Sequence, residues 1–139
     1  MVTSYRRALE KKTDIQQHLG VLCGLAMQSK QVVEFGVRHG HSTVALCWPG
    51  VPVTSYDIAS CEPHVSRLKK EHPHWTFIQK SSLKVEIPEC DLLFIDSEHT
   101  YDHLSEELRL HARAVRRWIV MHDTEKFGEK DYYGKEPGL

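Results

Sequence analysis

The run Gln31-Val32-Val33-Glu34-Phe35-Gly36-Val37-Arg38-His39-Gly40-His41-Ser42-Thr43 decides how this chain is read. Its first five residues are β-branched and aromatic apart from Gln31 and Glu34, and they stop at Gly36, as a short strand does. Helical signals resume after Gly40 through Thr43, Val44, Ala45 and Leu46, until Pro49-Gly50 breaks them. The stretch therefore reads as strand, glycine turn, helix. Two glycines let a backbone turn tightly and approach a ligand where a Cβ would obstruct it. The start of the following helix offers N–H groups with no intrahelical partner. The spacing is Gly-x-x-x-Gly, not Gly-x-Gly-x-x-Gly, and no Gly-Lys-Ser/Thr is present, so a phosphate cradle is disfavoured. Taken alone, an ordinary strand-to-helix turn explains the stretch equally well.

The flanking sequence alternates in the same way. Upstream, Thr13 reads as an N-cap with Asp14 in the first turn. Ile15, Leu19, Leu22 and Ala26 follow at helical spacing. Downstream, residues 51–58 predict a second strand with Asp57 near its end. Pro63 suits the first turn of a helix running to about Glu71. Residues 75–79 predict a third strand, and residues 91–96 a fourth, apolar enough to be buried on both faces. A helix over 101–114 turns Leu104, Leu108 and Leu110 or His111 inward. Residues 118–121 predict a fifth strand, closed by His122-Asp123. The alternation is that of a parallel α/β sheet. Residues 1–124 are expected to form one domain, and residues 125–139 a polar C-terminal tail.

Composition narrows the function. The chain has 139 residues, enough for one domain with its own core. Lys and Arg number 18 against 19 Asp and Glu, a balance that gives no support to a general nucleic-acid binder. Hydrophobic residues at 40% and charged residues at 27% argue against disorder. No apolar run approaches the roughly 20 residues that span a bilayer, so no membrane partner is expected. Residues 1–12 are charged and lack an apolar signal core. Cys23, Cys47, Cys61 and Cys90 form no Cys-x-x-Cys pair. A cytoplasmic protein with reduced thiols is the expectation. Five of the ten histidines, His39, His41, His99, His103 and His122, fall near the segments discussed here. Composition does not decide between catalysis, metal binding and solvated loops.

Asp57 lies seventeen positions after Gly40. That is close to the roughly 20-residue offset at which a carboxylate meets ribose hydroxyls in dinucleotide folds. A carboxylate that accepts two hydroxyl protons suits a vicinal diol; a helix cap or loop charge is the plainer account. Turn and acid together favour a nucleoside-containing cofactor.

Residues 32–36 and 40–43 resemble motif I of class I S-adenosylmethionine-dependent methyltransferases. The closer resemblance is to the branch with the catechol, caffeoyl-CoA and macrolide O-methyltransferases. Leu93-Phe94-Ile95-Asp96-Ser97-Glu98-His99-Thr100-Tyr101 is similar to that branch's Phe-Ile-Asp-Gly-x-His-x-Tyr segment, with Ser97 in the glycine's place. Ile119-Val120-Met121-His122-Asp123-Thr124 resembles its Val-x-His-Asp-Thr ending of the fifth strand. The resemblance covers most of residues 15–125. It implies a Rossmann-like three-layer sandwich with a mostly parallel sheet in the order 3-2-1-4-5.

It also implies S-adenosyl-L-methionine as cofactor and O-methylation of a small-molecule acceptor. Glu34 and the backbone from Gly36 to Gly40 would face the methionine part, Asp57 the ribose, and Ser82, with Ser81, the adenine; Ser42 would also bind the cofactor. Glu98 would lie near the amino group, and Asp96 would also contact the cofactor. Asp96 and Asp123, at the ends of neighbouring strands, would bind Mg²⁺. His99, with Asp96, would be catalytic, its ordinary pKa of roughly 6.5 suiting a base near neutrality. The alternative for both carboxylates is capping of the following segment, and for His99 a structural role. His103 is read as helix surface.

Complete members of the family carry two more strands, six and seven, and these are not seen in this sequence. A non-catalytic methyltransferase-fold binding or assembly domain is therefore the competing reading. A metal-dependent hydroxylase or hydrolase built on Asp96, His99 and Asp123 is a third. An uncovered fifth strand would expose unpaired backbone groups, so a homodimer that covers it is expected.

Overall fold

A computed structural model describes residues 3–139. Its elements run α1 (Ser4–Glu10), α2 (Leu19–Met27), β1 (Val32–Phe35), α3 (His41–Cys47), β2 (Val53–Asp57), α4 (His64–Glu71), β3 (Trp75–Gln79), β4 (Cys90–Ile95), α5 (Tyr101–His111) and β5 (Val115–Met121). All four strand pairings are parallel, and the sheet order is β3-β2-β1-β4-β5. This is the expected order, with no sixth or seventh strand among the described residues.

Period-two alternation in the central strands builds the three layers. Val32, Val53, Leu92 and Phe94 pack on one face against Leu22 and Ala26 of α2, Val44 of α3 and Leu68 of α4. Val33, Phe35, Leu93 and Ile95 pack on the other face with Leu104 and Leu108 of α5. β1 and β4 are buried throughout, as strands covered on both sides must be. No helix among the described residues is long and apolar enough to cross a membrane.

Four details depart from the sequence expectations. Thr13 does not start a long helix: a 3-10 turn, Gln16–His18, intervenes, and α2 begins at Leu19. α1 was not expected; Thr3 caps it by accepting from Arg6 N–H at 3.3 Å. α5 turns Leu104, Glu107 and His111 inward and leaves Leu110 exposed. Finally, β5 starts three residues early and so includes Arg116 and Arg117. Arg116 pairs with Glu89. The Arg117 guanidinium lies 3.9 Å over the Trp118 ring and donates to the Gln28 carbonyl at 2.7 Å. The outer strand thus carries charge, which blunts edge-to-edge pairing.

The C-terminal tail folds back on the domain. Tyr132 N–H donates to the His99 carbonyl at 2.8 Å, and Leu139 joins the α5-side core. The Asp131 carboxylate ties the turn by accepting from the N–H groups of Tyr133 at 2.9 Å and Lys135 at 2.8 Å.

Candidate active site

The turn after β1 is held by close backbone packing. Gly36 and Gly40 have φ of +90° and +80°, and Arg38 between them has φ of +53°. A Cβ at Gly36 would run into the Asp96 carbonyl of the adjoining chain, and one at Gly40 into Leu68. The turn can therefore lie flat against the ends of β1 and β4 only because these positions are glycine.

Beneath the turn sits Glu34, fully buried. Oε1 accepts from the Ser42 hydroxyl at 2.6 Å; Oε2 accepts from Thr43 at 2.8 Å and Ser55 at 2.6 Å. Ser55 in turn accepts from the Trp75 indole N–H at 2.8 Å. Burial pushes the Glu34 carboxyl up to about 7, with the three hydroxyl donors opposing the rise. Glu34 lines none of the cavities described below. It braces the turn from behind, where the sequence reading had it facing a cofactor. Ser42 likewise commits its hydroxyl to Glu34.

In front of the turn a cavity of about 600 Å³ opens along the carboxyl ends of β1, β2 and β4. Its wall includes Gly36, Asp57, Ile58, Ser82, Asp96 and Glu98. Ligands bind at this edge in open α/β sheets, and the volume falls in the usual range of roughly 300–1,000 Å³. Asp57 Oδ2 accepts from the N–H groups of Val37 at 2.8 Å and Arg38 at 3.2 Å, and Oδ1 accepts from Ala59 at 2.9 Å. Burial opposes its ionisation, but the amides of Ala59, Val37 and Arg38 hold the carboxyl below its ordinary value. One lone-pair direction of Oδ1 is left for a ligand. Exposed Ile58 and half-buried Leu83 supply apolar wall beside it. Hydroxyl acceptors and apolar planes together fit a nucleoside.

The far wall is braced by α5. Buried Glu107 Oε1 accepts from Ser82 and Ser97, both at 2.6 Å, and lies 3.1 Å from His103 Nε2. His103 Nδ1 lies 3.6 Å from Glu98. The bond to Glu107 outweighs desolvation and raises the His103 pKa. His111 Nε2 meets the Ser82 carbonyl at 2.7 Å. His103, read from sequence as helix surface, and Glu107 and His111 instead fix Ser82 and Ser97. Their shared i, i+4 spacing was the available signal; charged residues on a helix otherwise read as a solvated face.

Asp96, His99, His122 and Asp123 meet where β4 and β5 end, with one ligand atom from each within 4.8 Å of all the others. His122 Nδ1 lies 3.2 Å from Asp96 Oδ1 and 3.4 Å from Asp123 Oδ2. His99 Nε2 lies 3.3 Å from Asp96 Oδ1 and 3.6 Å from Asp123 Oδ2, yet it is buried without a hydrogen-bond partner. Asp123 takes the left-handed conformation, φ +58°, that aspartate tolerates better than most residues. Burial would raise the Asp96 carboxyl, but the His122 bond and the adjacent His99 imidazole overcome it and hold it at about 2. The bond to Asp96 raises His122. Phe127 of the tail covers the His99 ring at 4.9 Å. The three residues expected in one cleft, Asp96, His99 and Asp123, do come together, and His122 joins them. Two carboxylates with two imidazoles suit a borderline transition ion better than Mg²⁺, which prefers oxygen ligands.

No protein-family model and no curated protein matches the sequence. Among solved structures, the chain is similar to a provisionally named caffeoyl-CoA O-methyltransferase of Staphylococcus aureus. The TM-score is 0.73 at 16% identity, over 91% of this chain and 69% of that one. It is similar to a Burkholderia thailandensis 1,6-didemethyltoxoflavin-N1-methyltransferase, solved with its substrate and S-adenosylhomocysteine. There the TM-score is 0.68 at 15% identity, over 84% of this chain and 54% of that one. A Podospora anserina methyltransferase bound to S-adenosylhomocysteine gives a TM-score of 0.65 at 13% identity, over 86% and 60%. At these identities the likeness is one of fold. The chain has the class I methyltransferase fold and spans between about half and just over two thirds of the length of these neighbours.

Proposed function

We propose that this chain is an S-adenosylmethionine-dependent methyltransferase acting on an oxygen of a small molecule. The observation that carries the reading is the adjacency of two features. The 600 Å³ cavity lies along the turn and Asp57, and Asp96 in its wall belongs to the Asp–His cluster. A donor site and a proton-accepting site therefore share a residue. The neighbours bound to S-adenosylhomocysteine support the cofactor.

S-adenosylmethionine supplies a methyl group on a positively charged sulfur. In this reading Asp57 holds one ribose hydroxyl through its remaining acceptor site. The backbone of Gly36 and the side chains of Ser82 and Glu98 line the rest of the site. Gly40 sets the turn, and Ser42 holds Glu34 beneath it. His99 takes the acceptor's proton at Nε2, the nitrogen without a hydrogen bond. Asp96 and Asp123 stabilise the resulting imidazolium, and His122 holds Asp96 in place.

The four-residue cluster favours a second reading of the same place. Asp96, His99, His122 and Asp123 would hold a divalent transition ion, which would polarise an acceptor hydroxyl. The two readings separate on metal removal.

The test measures S-adenosylhomocysteine release with S-adenosylmethionine and a panel of hydroxylated small molecules, before and after dialysis against EDTA. Turnover that survives dialysis and is lost in His99→Ala supports the base. Turnover lost on dialysis and restored by Mn²⁺ or Zn²⁺ supports the metal site. Failure to bind S-adenosylmethionine overturns the reading and leaves a fold used for binding or assembly.

A further inference from the structure

A second cavity, about 340 Å³, adjoins the large one and shares Arg38 and Asp96 with it. A third, about 280 Å³, continues from the second through Lys11, His39 and His41. The three make one path: from the nucleoside-sized cavity, past the Asp–His cluster, to a pocket between α1, the glycine turn and α4.

The third pocket is rich in basic side chains. Arg7, Lys11 and Arg67 line it together with His39, His41 and His64. No carboxylate lines it. The acids nearest in sequence are engaged elsewhere: Glu10 pairs with Arg6, Asp14 faces Arg38 at 3.7 Å, and Glu62 accepts from Ser66. Arg7, Lys11 and Arg67 form no ion pair among the described residues. The His39 ring centroid lies 6.1 Å from that of His41 and 5.3 Å from that of His64. His64 Nδ1 is buried with no partner. Burial lowers the His41 and His64 pKa values, and the charges of Lys11, Arg67 and the neighbouring histidines lower them further. Clustered cations with no counter-charge repel one another, an arrangement that an anion relieves.

We propose that this pocket is a phosphate-binding subsite for the methyl acceptor, a small molecule that carries a phosphate-type group. The inference rests on the methyltransferase reading, because the acceptor's reacting oxygen is placed in the middle cavity beside Asp96. Arg and Lys bind phosphate oxygens by charge-assisted hydrogen bonds, and Arg does so in two-pronged fashion. Three histidines add donors that need not all be charged. The pocket is too small for a whole cofactor and joins the middle cavity through Lys11, His39 and His41. That suits the end of a longer molecule. The charge also selects among acceptors: a neutral compound would leave the cations unrelieved.

The experiment is calorimetric titration of the full chain with inorganic phosphate and with phenyl phosphate, in chloride buffer, with and without saturating S-adenosylhomocysteine. The expected result is one site for each ligand, phenyl phosphate binding at least as tightly as inorganic phosphate, and no displacement by S-adenosylhomocysteine. Lys11→Gln with Arg67→Gln, both at exposed positions, should weaken binding by about tenfold or more. Thermal melts and S-adenosylhomocysteine affinity close to the parent's certify the fold of that variant, and Arg7→Gln is the substitute if they fail. No phosphate binding at 10 mM, or binding unchanged in the variant, overturns the proposal. Inorganic phosphate binding more tightly than phenyl phosphate overturns the acceptor role in favour of a free anion. Phosphate displaced by S-adenosylhomocysteine overturns it too, since the charges would then serve the donor's carboxylate. Failure of S-adenosylhomocysteine to bind while phosphate binds overturns the methyltransferase reading, and with it the acceptor role.

Discussion

Glu34 and Asp96 are carboxylates on neighbouring parallel strands, and they are built for opposite purposes. Glu34 is closed off: both oxygens are filled by hydroxyls from α3 and β2, and it lines none of the cavities described above. Asp96 lies at the junction of the large and middle cavities, one quarter exposed, and faces two imidazoles. Around Glu34 each partner is a neutral hydroxyl that cannot take its proton. Around Asp96 each partner is an imidazole, and His99 Nε2 has no hydrogen bond at all. A satisfied, buried network holds a backbone shape, whereas a titrating cluster beside a cavity with an unfilled valence is equipped to move a proton or hold an ion. The contrast separates the scaffold of the site from its chemistry within a few residues of sequence.

Four substitutions or conditions test that contrast, in falling order of expected effect. His99→Ala should lower methyl transfer by about 100- to 10,000-fold, the usual span for a lost general base, with S-adenosylhomocysteine affinity held. Steady-state rates and calorimetry on the same preparation separate the two. Glu34→Ala should instead act on stability. It strands the hydroxyls of Ser42, Thr43 and Ser55 without their acceptor, and unfolding in urea should show a loss of about 3 kcal/mol. A Glu34→Ala variant as stable as the parent would break the comparison at its scaffold end.

Asp57→Ala should weaken S-adenosylhomocysteine by about 10- to 100-fold, since charged hydrogen bonds contribute roughly 1.5–3 kcal/mol. Part of that loss comes through the turn, because the N–H groups of Val37 and Arg38 lose their acceptor. The smallest effect is on pH dependence. The Glu34 carboxyl is raised from 4.5 to about 7, so between those values the folded chain keeps a proton that the unfolded chain has released. Its contribution to stability should therefore fall as pH rises through that window and level off above about 7. Glu34→Gln should flatten that part of the stability–pH curve, read by urea midpoints from pH 4.5 to 8.

Much of the fold was legible because its signals are local. Alternating strand and helix patterns fixed the parallel sheet, and β3 appears at the residues expected, Trp75–Gln79. The site was legible where residues follow directly on predicted strand ends, as Asp96 and His99 do after β4 and Asp123 does after β5. What the sequence hid depends on distance. Glu34 reads as a ligand contact before a glycine turn; that Ser55 fills it depends on register across β1 and β2, and that Ser42 and Thr43 do depends on how α3 packs. His103 reads as helix surface, and Glu107 draws no reading, because nothing local shows that Ser82 and Ser97 wait opposite them. The positive pocket draws Arg7 and Lys11 from α1 and its end, His39 and His41 from the turn, and His64 and Arg67 from α4. No single stretch is basic enough to announce it. Nor did the strand pattern show that Arg116 and Arg117 lie within β5, because charged residues at an edge break the apolar run.

The central claim is that the cavity before the glycine turn binds an adenosyl cofactor. Calorimetric titration of the full chain with S-adenosylhomocysteine tests it most directly, with Asp57→Ala as the paired variant and adenosine as a second ligand. The account predicts one site per chain, weaker binding of adenosine through the same site, and the loss stated above in Asp57→Ala. No heat at millimolar S-adenosylhomocysteine, or binding that Asp57→Ala leaves unchanged, would contradict it.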